Sequence, residues 1–299
     1  MTKRTKILLA FASVYLLWGS TFVAIRYVTQ LLHPAFVSGI RYVIAGAILM
    51  AYLLLRRRPV RLSRKGYWQV SLLGFIMFTI NTTLLSYGGK ILSAGLAALF
   101  ISSIPLFIGV LEAMWPGGTR MSRVGWLGTG TGFAGLVVLT RHSLQSPTRE
   151  TLLASCALLF AAFMWALGSV MARRMEIKAS PMVSSAWQML IAGSINVLIG
   201  VAGGGLQSSH WTSGAWLAML YLAIFGSLAG YTSYMFLLQN VRLSSVATYA
   251  YVNPIVAVLL GWVLLHETLH GTEWLGMGIV IVSVAVVIAS KPRVPESVL

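Results

Sequence analysis

The sequence predicts an all-α integral membrane protein of about ten helical spans, arranged as two inverted five-helix repeats with both termini cytoplasmic. Three observations predict it: an almost uncharged, apolar composition, a one-sided distribution of basic residues, and an ordered internal repeat. Fifty-eight per cent of the residues are hydrophobic, nine per cent are charged, and the mean hydropathy is +0.83. A soluble domain carries about a quarter charged residues, so this chain lacks the polar surface needed to face water on all sides.

Mostly apolar runs of about 18 residues or more recur, each long enough to cross a hydrocarbon core of ~30 Å. They place spans near 7–27, 34–55, 67–88, 92–114, 124–140, 152–172, 182–203, 214–238, 244–265 and 272–290. Lys3, Arg4 and Lys6 ahead of the first run resemble the start of a signal peptide. The run continues too far for that, and no small-residue cleavage site closes it, so it is read as a retained first span. The single Cys156 lies within a span, which rules out a disulfide framework and leaves it as a small core residue.

The 22 Lys and Arg residues against six acids give a net charge of +16. In a soluble protein such a balance would suggest nucleic acid, but here the basic residues sit between apolar spans and form no groove. They cluster at Lys3-Arg4-Lys6, Arg56-Arg57-Arg58 to Lys65, Arg120 and Arg123, Arg173-Arg174-Lys178, Arg242, and Lys291 with Arg293. With the N-terminus inside, all of these are cytoplasmic, and the opposite side keeps only Arg26, Lys90, Arg141 and Arg149. The positive-inside rule therefore puts both termini in the cytoplasm.

Sliding the chain on itself by 147 residues sets Trp18 on Trp165, Arg26 on Arg173, Pro34 on Pro181 and Ser38 on Ser185. Ile44-Ala45-Gly46 then falls on Ile191-Ala192-Gly193. Slightly larger shifts set Pro105 on Pro254 and Trp126-Leu127-Gly128 on Trp274-Leu275-Gly276. The series divides the chain into repeats at 1–145 and 146–299. Five spans is an odd number, so the second half enters the membrane from the opposite side. Inverted repeats are a recurrent architecture of secondary transporters, with the substrate site near the midplane between the halves.

The chain resembles the drug/metabolite transporter superfamily in its ten-span EamA form. The residues that carry the resemblance are Trp18-Gly19-Ser20 with Phe22, the Pro34…Arg41…Ala45-Gly46 pattern, Ser244 to Ala247, Asn253-Pro254, and Leu264-Leu265-His266-Glu267 followed by Trp274-Leu275-Gly276. Within that group it is most similar to the bacterial aromatic amino-acid exporters of the YddG type. The resemblance implies spans one to four and six to nine around a central cavity, with five and ten outside. It also implies export of amino acids or related small metabolites across a bacterial inner membrane by alternating access. One departure stands out: the acid that the family carries thirteen residues after the span-four proline is Gly118 here, whereas Glu267 holds the matching place after Pro254. The Gly128-x-x-x-Gly132 and Gly132-x-x-Gly135 spacings of span five suit close backbone packing.

Polar groups inside a membrane point to a pathway. Asn81, Ser102 and Ser103, and Asn253 are the central candidates, each of the last two sites lying beside an intramembrane proline, Pro105 or Pro254. Such a proline leaves a carbonyl of the preceding turn without its helical donor, free for a substrate ammonium or for a neighbouring serine. Trp18, Trp165, Tyr231, Tyr234, Tyr249 and Tyr251 are candidate aromatic walls for an amphiphilic metabolite, against the plainer reading of helix packing. Arg41 either pairs with a substrate carboxylate or bonds carbonyls and headgroups by snorkelling; the structural role is preferred, and Arg41, Pro105, Pro254 and Glu267 are assigned to structure or gating.

Only Glu112 lies clearly within a span. Cationic-drug exchange and carboxylate-based proton coupling both need an embedded acid, so a neutral or zwitterionic substrate moving down its gradient fits better. His266-Glu267-Thr268-Leu269-His270 matches the H-E-x-x-H zinc motif and offers an intramembrane protease as the reading from another class. It falls at a span end that Gly271 should stop, and the chain has no Asp to serve as a third ligand. The expectation is therefore a non-enzyme without cofactor or metal. Its partners are a small-molecule substrate and the lipid bilayer, not nucleic acid, and it works as a monomer.

Overall fold

A computed structural model describes residues 2–116, 118, 122–140, 148–267 and 271–290. Among the described residues the regular structure is entirely helical. Ten principal helices are α1 (Lys3–Thr29), α2 (Pro34–Leu55), α3 (Arg64–Ile91), α4 (Ala94–Met114), α5 (Arg123–Thr140), α6 (Arg149–Arg174), α7 (Pro181–Ala202), α8 (Ser213–Asn240), α9 (Tyr249–Leu265) and α10 (Gly271–Ala289). Seven of them, α1–α4 and α6–α8, are long and apolar enough to cross a membrane. α9 and α10 carry shorter apolar stretches, Val252–Leu265 and Trp274–Ser283.

The helix starts are chemically marked. Ser63, Ser93, Thr148, Ser180 and Thr212 each accept a backbone N–H of the following first turn through the side-chain oxygen. Pro34 and Pro181, equivalent under the 147-residue offset, both stand in the first turn of their helix, where the missing N–H costs nothing. α6 extends beyond its expected span at both ends, because the polar Arg149-Glu150 and Arg173-Arg174 continue the helix outside the apolar stretch.

The helix found in the expected span 244–265 is shorter than that span. A four-residue helix, Leu243–Val246, stops at Ala247-Thr248, where Thr248 Oγ1 donates to the Ser245 carbonyl at 2.7 Å, and α9 starts afresh at Tyr249. α4 likewise breaks at Ser102-Ser103, so Pro105 sits in the first turn of a new segment instead of inside a continuous helix.

The packing sets α2 against α7 and α5 against α10 as the most extensive helix pairs. A Cβ on Gly46 would lie 3.0 Å from Leu190 N, and one on Gly193 2.8 Å from Val43 N, so these equivalent glycines let the α2 and α7 backbones touch. Gly132 of α5 makes room for the Ser283 side chain of α10, with a built Cβ 2.8 Å from Ser283 Oγ. The outer surface is apolar: Leu16, Leu54, Leu198, Leu217 and Val263 are all exposed. Such a coat has no place in water and suits lipid. Cys156 belongs to that outer face, not to the core, because its position on α6 points away from the bundle.

Candidate functional site

Two stretches of wide helical turns shape the centre of the molecule. Phe75–Ile80 in α3 and Leu222–Tyr231 in α8 are π-helical, and their starts lie 222 − 75 = 147 residues apart, the offset of the sequence repeat. A π-turn frees backbone carbonyls and re-aims the following side chains, and it recurs at functional sites. The freed groups are used: the Phe78 carbonyl accepts from Asn196 Nδ2 at 3.1 Å and from Thr82 Oγ1, and the Gly226 carbonyl accepts from Trp18 Nε1 at 2.9 Å. A Cβ at Gly230 would fall 2.3 Å from Trp18 Nε1, so only glycine there lets α1 lie so close to α8.

Between these segments lies a cavity walled by α1, α2, α3, α4, α6, α8 and α9. One wall is aromatic. The equivalent residues Trp18 and Trp165 meet edge to face, their ring centres 5.3 Å apart at 84°. Tyr249 stands edge-on to Trp18 at 5.0 Å, and Tyr231 lies 4.5 Å from Phe78, which in turn lies 4.2 Å from Tyr42.

The opposite chemistry comes from three polar groups. Asn81, placed directly after the first π segment, donates Nδ2 to the Ala161 carbonyl at 2.7 Å, and its Oδ1 accepts nothing among the described residues. Asn253, its amide oriented by its neighbours, donates to the Tyr249 and Tyr15 carbonyls at 3.1 and 3.0 Å. Arg41 is 5% exposed and turns inward, not toward a headgroup region. Its Nε donates to Ser227 Oγ at 3.0 Å, and its guanidinium carbon sits 4.8 Å from the Tyr42 ring centre.

Trp18, Asn81, Trp165, Tyr231, Tyr249 and Asn253 therefore line one cavity, together with Arg41. Ser102 and Ser103 do not line it: both are buried and turn back on their own helix, donating to the Leu99 and Phe100 carbonyls at 2.6 Å each. Those bonds go to carbonyls that the Ser102 and Ser103 N–H groups already meet, and not to Ile101, whose carbonyl Pro105 leaves without a helical donor. Tyr234 stands behind the wall, its hydroxyl bonded to Ser169 at 2.6 Å and its ring against Trp18 and Trp165. The Tyr251 side chain lies outside the described residues. Thr21, Phe22, Tyr42, Phe78, Thr82 and Gly226 also line the cavity without having been singled out as wall residues. Phe22 and the Arg41-Tyr42 step carried a signal, while Phe78 and Gly226 depend on the π segments, which leave no trace in hydropathy.

The remaining candidates sit at the two ends. Glu267 Oε1 accepts from Ala94 N at 3.1 Å and lies 3.9 Å from Arg26 Nε, tying the end of α9 to the start of α4. Arg26 also donates to the Lys90 carbonyl at 2.6 Å. At the other end Glu112 takes a two-pronged contact from Arg174, with Nη2 to Oε2 at 3.0 Å, and Arg173 donates to the Leu238 and Val241 carbonyls at 2.9 and 2.7 Å.

α9 closes at Leu265, and His266 caps it in the left-handed conformation at φ 54°, five residues before the expected stop at Gly271. His266-Glu267 thus leave the helix whose single face a zinc pair needs, and the carboxylate is already engaged. Thr268 to His270 lie outside the described residues. Outside the bundle, His33 caps α2 by accepting Ala35 N at Nδ1 (3.3 Å). Its pKa is lowered from the ordinary 6.5, first by burial and then by the charge of Lys90.

The sequence matches the model of the "EamA-like transporter family" twice, at residues 5–141 and 152–289. It is 30% identical over 287 residues to the "Uncharacterized inner membrane transporter YedA" of Escherichia coli K12, covering 96% of this chain and 92% of that protein. A chloroplastic WAT1-related protein of Arabidopsis thaliana is 28% identical, over 92% of this chain and 67% of its own length. The "Uncharacterized transporter YvbV" of Bacillus subtilis is 26% identical, over 95% and 91%. A chain of known crystal structure superposes with a TM-score of 0.74 at 22% identity, covering 95% of this chain and 96% of its own.

Proposed function

Because the chain belongs to the EamA-like transporter family, we propose that its central cavity carries small neutral or zwitterionic metabolites, amino acids foremost, across a bacterial inner membrane by alternating access. The observation that supports this best is the cavity itself: mostly apolar, rich in aromatic rings with a few polar groups, and walled by helices from both sides of the sequence repeat.

On this reading residues 1–145 and 146–299 are two inverted five-helix halves that span the membrane ten times, with both termini cytoplasmic. The halves exchange conformations around the fixed site. The aromatic wall suits the side chains of aromatic and other apolar amino acids, the substrates of the exporters that the sequence resembles. Among the described residues, the cavity wall carries no carboxylate to take up a proton or a cationic drug, which favours facilitated movement down a gradient. One chain encloses the whole cavity, so the working unit is a monomer, and transport needs no catalytic chemistry.

Purified protein in liposomes should move radiolabelled phenylalanine, methionine or threonine at the same rate with and without a pH gradient. Flux of other neutral metabolites with none of these three would replace the substrate class. An absolute need for a pH gradient would overturn facilitation.

A further inference from the structure

We infer that Arg41 is the carboxylate anchor of the cavity, so that the site selects organic acids and zwitterions by their carboxylate and rejects amines that lack one. This deepens the transport reading of the same cavity and rests on it for the identity of the site. Arg41 is 5% exposed, in the middle of a bundle meant for lipid. A buried guanidinium without a counterion is costly, and proteins normally supply a carboxylate or a set of carbonyls. Neither is present among the described residues. Among the described residues the two ion pairs are Arg26–Glu267 and Arg174–Glu112, both away from the cavity wall. Of the five N–H donors of the guanidinium, Nε alone is engaged among the described residues, through Ser227, and Tyr42 offers its ring face.

The equivalent residue in the other repeat shows that this is not a packing requirement. Gln188, 147 residues on, is fully buried, accepts the Tyr231 hydroxyl at 2.6 Å, and does not line the cavity. That site holds a neutral amide, whose Nε2 has no hydrogen-bond partner among the described residues. The terminal nitrogens of Arg41 form the planar fork that matches a carboxylate in two parallel bonds. The free Oδ1 of Asn81 is the matching acceptor for an ammonium. A substrate carboxylate thus completes a charge that the protein leaves open, and the aromatic wall receives the apolar remainder.

The test is the shift in thermal unfolding of the detergent-purified full chain with phenylalanine, 3-phenylpropionate or phenethylamine, at millimolar concentration. Phenylalanine and 3-phenylpropionate should raise the transition temperature and phenethylamine should not. Arg41→Gln should weaken 3-phenylpropionate binding on the order of 30-fold or more, and Arg41→Lys less. The wild-type series stands even if a variant folds poorly. A shift from phenethylamine equal to that from 3-phenylpropionate overturns the anchor, and so does the absence of a shift from both acids. Stabilisation by the acids without flux in liposomes would sink the transport reading and leave the anchor standing.

Discussion

The centre of the molecule and its ends treat the same side chain in opposite ways. Arg26, Arg173 and Arg174 at the ends are met by carbonyls or carboxylates of neighbouring helices. Arg41 at the centre, the most buried of the four, meets one hydroxyl and a ring face. Charges at the ends fasten one helix to another, whereas the charge at the centre is left for something that comes and goes. The ends also differ from each other. Glu267 spans the repeat junction to cap α4, but its counterpart in the first half is Gly118, and the other end relies on Glu112 with Arg174 instead.

The sharpest way to break this contrast is to neutralise each cation and read stability without ligand. Arg41→Gln should leave the ligand-free protein within about 1 kcal/mol of wild type, since it removes a buried charge that has no partner, while substrate binding falls by the factor given above. A large loss of ligand-free stability would make Arg41 a fastening like the others. Trp18→Ala probes the aromatic half of the centre. It removes three ring contacts and the bond to Gly226, and should cost about 3–5 kcal/mol in unfolding measurements. Asn81→Ala should reduce phenylalanine flux about tenfold, by loss of an acceptor and of the bond to Ala161.

At the ends the effects are smaller. Glu267→Ala should lower stability by about 1 kcal/mol and Glu267→Gln by less, because an amide oxygen can still accept Ala94 N. Neither should change ligand affinity, and a change as large as that of Arg41→Gln would erase the distinction between centre and ends. The smallest effect concerns pH. The His33 pKa is lowered in the folded state, so the unfolded chain binds its proton more readily, and stability should fall as pH drops below about 6.5. Protonation also removes the Nδ1 acceptor that caps α2. His33→Asn should keep a cap and flatten that part of the pH–stability curve.

Much of the helical order was legible because hydropathy and end signals are local: Pro34 and Pro181 mark helix starts wherever they stand. The breaks in α4 and before α9 were not, since Ser102-Ser103 and Ala247-Thr248 sit inside unbroken apolar runs and bend the chain through side-chain bonds to nearby carbonyls. In the cavity, residues that are both aromatic or polar and near mid-span, such as Trp18, Asn81 and Tyr249, could be named from the sequence. Tyr234 shows the limit of that reasoning. It is one helical turn from Tyr231, yet Tyr231 lines the cavity while the Tyr234 hydroxyl bonds Ser169. The orientation of Arg41 was equally hidden, because hydropathy cannot distinguish a snorkelling arginine from one turned inward.

The most direct test of the account is counterflow in proteoliposomes: unlabelled phenylalanine is loaded inside and labelled phenylalanine is followed outside, with no pH gradient. Transient uptake well above empty liposomes, abolished by Arg41→Gln and kept by Glu267→Gln, is the predicted result. Uptake that Arg41→Gln leaves intact, or no uptake by folded wild-type protein, would contradict it.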